Sequence, residues 1–410
     1  MKVAFFSPNN PSPASSGFHQ RELEILSGLR YLGCSTHLLS SIFKSIHPWT
    51  ASSIKHLKLN LVETLQIYQP TRWDYLIWQL SKYHRVIPQY FPTLSAILTP
   101  PGFRAWFKRR IEDITPDIIW MNYAYYDGLV DHIDFKNIVR AIDIIDLISV
   151  NRKMWRAISP LHKPSTCLSA ENIDDQLLEE DFFIKSNFPV EAWEYKLYEK
   201  YSYTVSINQI ETDTLKRNTQ CTHVIYIPMS IELPKAVAEY SGPAIFPTGD
   251  NPYNIQGYFY FTKKVLPLIL KESSEFILQV TGYCSMDRVS PVDGVLLSGY
   301  VPDLTISFST ARFLICPIFG GTGQLIKVIE AMSYGLPVII PSQAASRTPV
   351  RHNYNGFIAR DVNEFADFTL RLWNDRELCL RMGRAARATV AEEYSKSHLY
   401  SGLNQILRSV

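Results

Sequence analysis

Residues 311–340 read Ala311-Arg-Phe-Leu-Ile-Cys316-Pro317-Ile-Phe-Gly320-Gly321-Thr322-Gly323-Gln-Leu-Ile-Lys327-Val-Ile-Glu330-Ala331-Met332-Ser-Tyr-Gly335-Leu-Pro337-Val338-Ile-Ile340. The apolar run Ala311 to Cys316 predicts a strand, and the glycines after it predict a tight turn. A helix over about Gln324 to Tyr334 follows, closed by Gly335, and Val338 to Ile340 resumes a strand. Glycines between a strand and a helix let backbone N–H groups approach a phosphate, and the helix N-terminus adds partial positive charge. Lys327 and Glu330 are three apart and share a helix face. One suits a phosphate and the other a ribose diol, so the turn reads as a place for a nucleoside diphosphate.

The same alternation extends outward. Lys2 to Ser7 reads as a strand, and a Pro/Ser/Asn loop leads to Gly17. A helix from about His19 to Tyr31 carries Leu23, Leu26, Leu29 and Leu32 on one face, and Thr36 to Leu39 resumes a strand. Such a βαβ opening predicts a parallel sheet. Strands are expected near 117–120, 139–142, 204–206 and 224–227, and a second set begins at Ala244. Residues 231–243 read as an interdomain linker, and 156–181, polar and then acidic, as a mobile surface loop. The expected fold is α/β with two doubly wound domains, residues 1–235 and 236–389.

The stretch resembles the donor-site signature of retaining glycosyltransferases of the GT-B fold, family 4 and its relatives (glycosyltransferase group 1). Gly321, Gly323, Lys327, Glu330, Ala331, Met332, Gly335, Pro337 and Val338 carry the likeness. Many members hold a glutamate eight residues before the second acid, where this chain has Thr322. The resemblance implies two Rossmann-like domains facing across a cleft. The N-terminal one would bind the acceptor and the C-terminal one the nucleotide sugar. A last helix within 390–410 would pack back on the first domain.

The resemblance also implies roles. Glu330, Gly321, Thr322, Gly323, Gly249, Asn254, Tyr300 and Val301 would bind the donor. Relatives often carry cations after the glycine at 249, where this chain has Asp250. Lys327, the helix dipole and Arg21 would then stabilise the leaving group, and Asn122 stands where relatives place a histidine near the sugar. Gly17, His19, Asp143 and Asp146 would face the acceptor, with capping as the alternative for the two aspartates. The co-substrate would be a UDP- or GDP-linked sugar, the acceptor a glycan, a lipid-linked sugar or a small molecule, and no metal would be needed.

Composition narrows the classes. The 410 residues allow two domains of about 200 residues each. Hydrophobic content of 46% and charged content of 20% suit a globular chain, and no apolar run reaches spanning length. The N-terminus lacks a signal-peptide pattern and the six cysteines form no C-x-x-C pair, which suits free thiols in the cytoplasm. No zinc spacing, G-x-S-x-G elbow or nucleic-acid module occurs, so nucleic acid is not expected as a partner. Net charge is +2, but residues 1–110 hold 13 Lys/Arg against four Asp/Glu. That excess, with the aromatics of 41–110 and the run Trp106-Phe107-Lys108-Arg109-Arg110, raises peripheral binding at the inner membrane face. The alternative is that Trp106 and Phe107 belong to the core. Two other functions stay open: a non-catalytic nucleotide-binding scaffold of this fold, and a membrane-surface interaction protein.

Overall fold

In the computed structural model, all residues are described except 15, 44, 46, 82–96, 132, 135–136, 162–166, 250 and 283–288. Asp250 and the aromatics Tyr83, Tyr90 and Phe91 of the basic segment therefore lie outside the described residues. The chain divides into two units. The first comprises Met1–Ile145, Glu191–Ser230 and Lys396–Val410, and the second Asp146–Val190 and Ile231–Ser395.

The first unit is built on seven parallel strands: β1 (Lys2–Phe6), β2 (Ser35–Ser41), β3 (Thr64–Tyr68), β4 (Ile118–Asn122), β5 (Val139–Ile144), β6 (Tyr203–Ser206) and β7 (His223–Tyr226). Their order is β3-β2-β1-β4-β5-β6-β7. Val3, Ala4, Phe5 and Phe6 are all buried, as a central parallel strand covered on both faces requires. The helix Gly17–Tyr31 lays Leu26 and Leu29 into the core, with Leu23 and Leu32 packed at its edge. The last helix, Lys396–Leu407, adds Leu399, Leu403 and Ile406 to the same core. Gly28 permits this approach, since a Cβ there would meet Leu403 at 2.6 Å.

The second unit has six parallel strands: β8 (Ala244–Thr248), β9 (Leu278–Gly282), β10 (Val295–Leu297), β11 (Leu314–Ile315), β12 (Val338–Pro341) and β13 (Gly356–Ala359). Their order is β10-β9-β8-β11-β12-β13. The helix after β8 runs from Pro252 to Glu272 with a π-turn at Phe261–Val265. Pro267 explains the widened turn, because it offers no N–H and crowds the carbonyl four residues back.

Several expectations change. The domain boundary falls at 230/231 rather than 235/236, and residues 146–190 belong with the second unit, not the first. The acidic stretch expected as a mobile loop is packed against the long helix of its unit. Lys263 pairs with Asp175 at 2.7 Å, Lys264 bonds Leu178 O, and Tyr260 Oη donates to Glu180. Residues 231–243 are likewise docked, with Tyr240 Oη donating to Gly335 O at 2.8 Å. Residues 41–110 supply the edge strand β3 and the helices Ala51–Asn60, Arg72–Ser81 and Pro101–Ile114. In the last of these Phe103 and Phe107 are core residues, Phe103 stacked on Tyr68 and tilted against Phe6 and Phe107 edge-on to Phe6, while Trp106 is half-buried.

Candidate functional site

In an open parallel sheet, ligands sit at the carboxyl ends of the strands where the strand order reverses. In the second unit that point lies between β8 and β11. The loops leaving those two strands are the Gly249 turn and the glycine-rich stretch 320–323. Both are at one edge because every strand runs the same way.

Gly321 (φ 99°) and Gly323 (φ 71°) adopt left-handed backbone, which only glycine enters without strain. A Cβ on Gly320 would meet Phe183 and Tyr253 within 2.6 Å, so packing demands glycine there too. The helix begins two residues later than expected, at Ile326, and ends at Ser333. Leu325 occupies its N-cap with no side-chain hydrogen bond to the first turn, which leaves that end open to a ligand.

Arg347 holds the turn from behind. Its Nη1 donates to Gly320 O at 2.6 Å, Nη2 to Thr322 O at 3.1 Å and Nε to Gly323 O at 3.3 Å. Nothing in the sequence singled out this arginine. On the other side Gly321 N–H points to Met154 Sδ at 3.3 Å, and Thr322 Oγ1 donates to Asp146 Oδ1 at 3.0 Å. Asp146, expected at the acceptor, thus stands at the glycine turn. Met154 is a second neighbour that sequence reasoning missed, because it arrives from a segment assigned to the other domain.

Lys327 is more constrained than a free phosphate ligand. Its Nζ donates to Pro247 O at 2.6 Å and to Asn254 Oδ1 at 2.5 Å, and it lies 5.1 Å from the Phe246 ring centre. Asn254 in turn donates to Gly249 O at 3.0 Å. Lys327 and Asn254 therefore join the motif helix to the end of β8 and fix the shape of the Gly249 turn. Glu330 differs. It is half-buried, and among the described residues its carboxylate accepts no hydrogen bond. Burial, and secondarily the nearby charge of Asp303, push its pKa up. Tyr300 is exposed and Val301 half-buried in the turn after β10, where Gly299 (φ 67°) accepts from Gly282 N–H.

The first unit has its own order reversal, between β1 and β4. Gly17 opens the helix there and Ser16 caps it. Arg21 and Asp143, given separate roles from the sequence, spend themselves on each other. They form a buried bidentate pair at 2.8 and 3.0 Å, and Arg21 also donates to Pro228 O. With 2% and 0% exposure, neither reaches a ligand as placed, which corrects the leaving-group role of Arg21 and the acceptor role of Asp143. Asn122 is also fully buried and donates to Phe6 O at 2.6 Å, so it closes β1 onto β4. Tyr123, next to it, holds φ 66°, a strained value for an aromatic residue. His19 is buried against His47, and burial followed by that neighbour lowers its pKa to about 4. It is therefore a neutral ring, not a cation.

Residues 242–375 match the family described as Glycosyl transferases group 1. The match lies within the second unit. The fold of the whole chain is the GT-B fold. Sucrose-phosphate synthase from Thermosynechococcus elongatus aligns over 100% of this chain and 98% of its own, with 14% identity and a TM-score of 0.63. TarM of S. aureus aligns over 99% of each chain at 12% identity and 0.64. HepE of Anabaena, solved with UDP and glucose, aligns over 100% of each at 12% and 0.61. No curated protein matches the chain.

Proposed function

We propose that the chain transfers a sugar, with retention, from a UDP- or GDP-linked donor to an acceptor hydroxyl. The observation that carries this reading is Glu330. A half-buried carboxylate that accepts no hydrogen bond among the described residues costs stability. Here it lies one helical turn along from an uncapped helix N-terminus and a glycine turn. A ribose diol would supply the missing donors, while the turn and the helix dipole hold the diphosphate. Tyr300 and Val301 would meet the base. HepE of Anabaena and TarM of S. aureus were solved with UDP, which agrees with such a donor.

In the reaction the acceptor oxygen bonds to the anomeric carbon as the bond to the diphosphate oxygen breaks, on the same face. The acceptor proton passes to the leaving phosphate. The fixed N–H groups of the turn stabilise the charge that develops there, without reorganisation. Lys327 contributes its charge from its seat at the end of β8. Among the described residues no group of three His, Cys, Asp or Glu could hold a metal ion, and we expect activity to persist in EDTA. The test is calorimetric titration with UDP and GDP, followed by transfer assays with the matching sugar nucleotides. Absence of binding to both nucleotides would remove this reading. Binding without turnover would favour the scaffold reading, which the hydrogen-bonded state of Lys327 also supports.

The acceptor is a glycan, a lipid-linked sugar or a small molecule, and the location we propose is the cytoplasm. Among the described residues no helix is long and apolar enough to cross a membrane. Contact with an anionic membrane surface would run through the helix Arg72–Ser81. It exposes Trp73, Leu76 and Leu80 along one side, in a region of the chain with excess positive charge.

A further inference from the structure

The helix Ile148–Ala157 belongs to the second unit and touches both loops of its candidate site. Met154 Sδ meets Gly321 N–H at 3.3 Å at the glycine turn. Asn151 Oδ1 accepts from Tyr253 Oη at 2.8 Å, and the Trp155 ring stands edge-on to the Tyr253 ring with centres 6.1 Å apart. Tyr253 lies in the first turn of the helix Pro252–Tyr260, whose cap Asn251 is two residues beyond Gly249. Arg152 follows Asn151 and precedes Trp155 by three. Residues three apart share a helix face, so Arg152 stands on the Tyr253 side of this helix rather than on the Met154 side.

Arg152 is half-buried, and among the described residues it has no hydrogen bond, ion pair or ring contact. Two other half-buried cations at these loops are engaged. Arg347 serves three carbonyls of the glycine turn, and Lys327 serves Pro247 O and Asn254 Oδ1. A guanidinium drawn from water without a partner costs stability, and an anion removes that cost. Its planar fork fits phosphate oxygens two at a time. The Glu330 carboxylate likewise accepts no hydrogen bond among the described residues. An acceptor suited to a diol and a fork suited to a phosphate are what a nucleoside diphosphate requires at its two ends. We propose that Arg152 binds the diphosphate of the donor and stabilises the charge left on it as the sugar departs. The bond from the anomeric carbon to the phosphate oxygen breaks, and its electron pair stays on that oxygen. Arg152 stays protonated throughout, because a guanidinium does not give up its proton in a protein. With no partner to break, the side chain turns onto a bound phosphate while the helix keeps its place. This inference rests on the nucleotide-sugar reading of the second unit.

The experiment compares the wild type, R152Q and R152K by calorimetry with UDP and GDP at low and high salt. The Tm of each protein is measured without nucleotide, and transfer is assayed with the matching sugar nucleotide. The expected result is a tenfold or greater loss of nucleotide affinity in R152Q with a Tm no lower than that of the wild type, since no contact is removed. R152K recovers part of the loss, because it restores the charge without the fork. Affinity falls with salt more steeply in the wild type than in R152Q, as the loss of a charge–charge contact requires. Equal nucleotide affinity in R152Q and wild type overturns the assignment while leaving the nucleotide site intact. Loss of transfer without loss of nucleotide affinity also overturns it, because the cation then serves the acceptor. A lower Tm with no recovery in R152K overturns it as well, because the role is then to hold the helix in place. A wild type that binds neither nucleotide overturns the functional reading and this inference with it.

Discussion

Arg347 donates to Gly320 O at 2.6 Å from 27 residues away, and through two further carbonyls it holds the whole glycine turn against the second sheet. A planar guanidinium suits several carbonyls at once, whereas a lysine offers one small charge. Replacing it with methionine keeps most of the volume but leaves three carbonyls without their donor. Arg347→Met is expected to cost roughly 1.5–3 kcal/mol by urea denaturation, the range for hydrogen bonds to a charged group. It should also weaken nucleotide binding about tenfold, because the amides opposite lose their fixed direction. Unchanged affinity in a destabilised variant would mean that the turn keeps its shape without the clamp.

Glu330 gives a pH dependence with a definite sign. Burial first, and Asp303 second, raise its pKa, so it takes up a proton at higher pH than an ordinary carboxylate. The protonated acid loses acceptor capacity toward a diol. Donor affinity should therefore fall as pH drops, beginning above the usual carboxylate range. Glu330→Gln should flatten this acid limb. Glu330→Ala should cut transfer tenfold or more, in line with the roughly 1.5–3 kcal/mol of a charge-assisted hydrogen-bonded contact. Wild-type kinetics in that variant would remove the central assignment.

Glu22 should reveal itself in stability instead. It is fully buried beside Ser7 and Asp143, and desolvation pushes its pKa well above 4.5. A raised folded-state pKa means that the native state holds a proton that the unfolded chain releases. The stability it contributes is complete below the unfolded value of 4.5 and is lost as pH rises through the folded value. Glu22→Gln mimics the protonated form at every pH. Denaturation at pH 5 and pH 8 should show the variant gaining on the wild type at the higher pH. An equal difference at both pH values would show that Glu22 does not titrate on folding in that window.

Some of this was legible before any coordinates. Left-handed backbone is written in sequence as glycine, so the turn at Gly321 and Gly323 could be read directly, as could the cap at Gly335. Strands buried on both faces appear as unbroken apolar runs, and β1 and β12 are such runs. What could not be read depends on where distant chain lands. Asp146 and Thr322 are 176 residues apart, and no periodicity links them. The engagement of Lys327 follows from where β8 delivers Pro247 O, and that of Arg21 from where β5 delivers Asp143. A cation in a motif looks free in sequence because its carbonyl partners are backbone atoms, which every residue type provides.

Membrane contact, if it occurs, should depend on the helix Arg72–Ser81 and not on Pro101–Ile114. Trp73, Leu76 and Leu80 are 72%, 42% and 51% exposed, whereas Phe103 and Phe107 are fully buried. Exposed aromatic and aliphatic side chains on one stripe of a helix can enter the headgroup layer. Each base near an anionic surface adds on the order of 1 kcal/mol, an attraction that falls off within the Debye length. The protein should co-sediment with anionic vesicles at low salt and release partly as salt rises, while neutral vesicles retain little. The double variant W73S/L80S should stay in the supernatant under the same conditions and keep its Tm, since both side chains face solvent. Retention of that variant on anionic vesicles would assign the attraction to the basic residues alone. A wild type that never pellets would leave the apolar stripe without a lipid partner and favour a soluble acceptor.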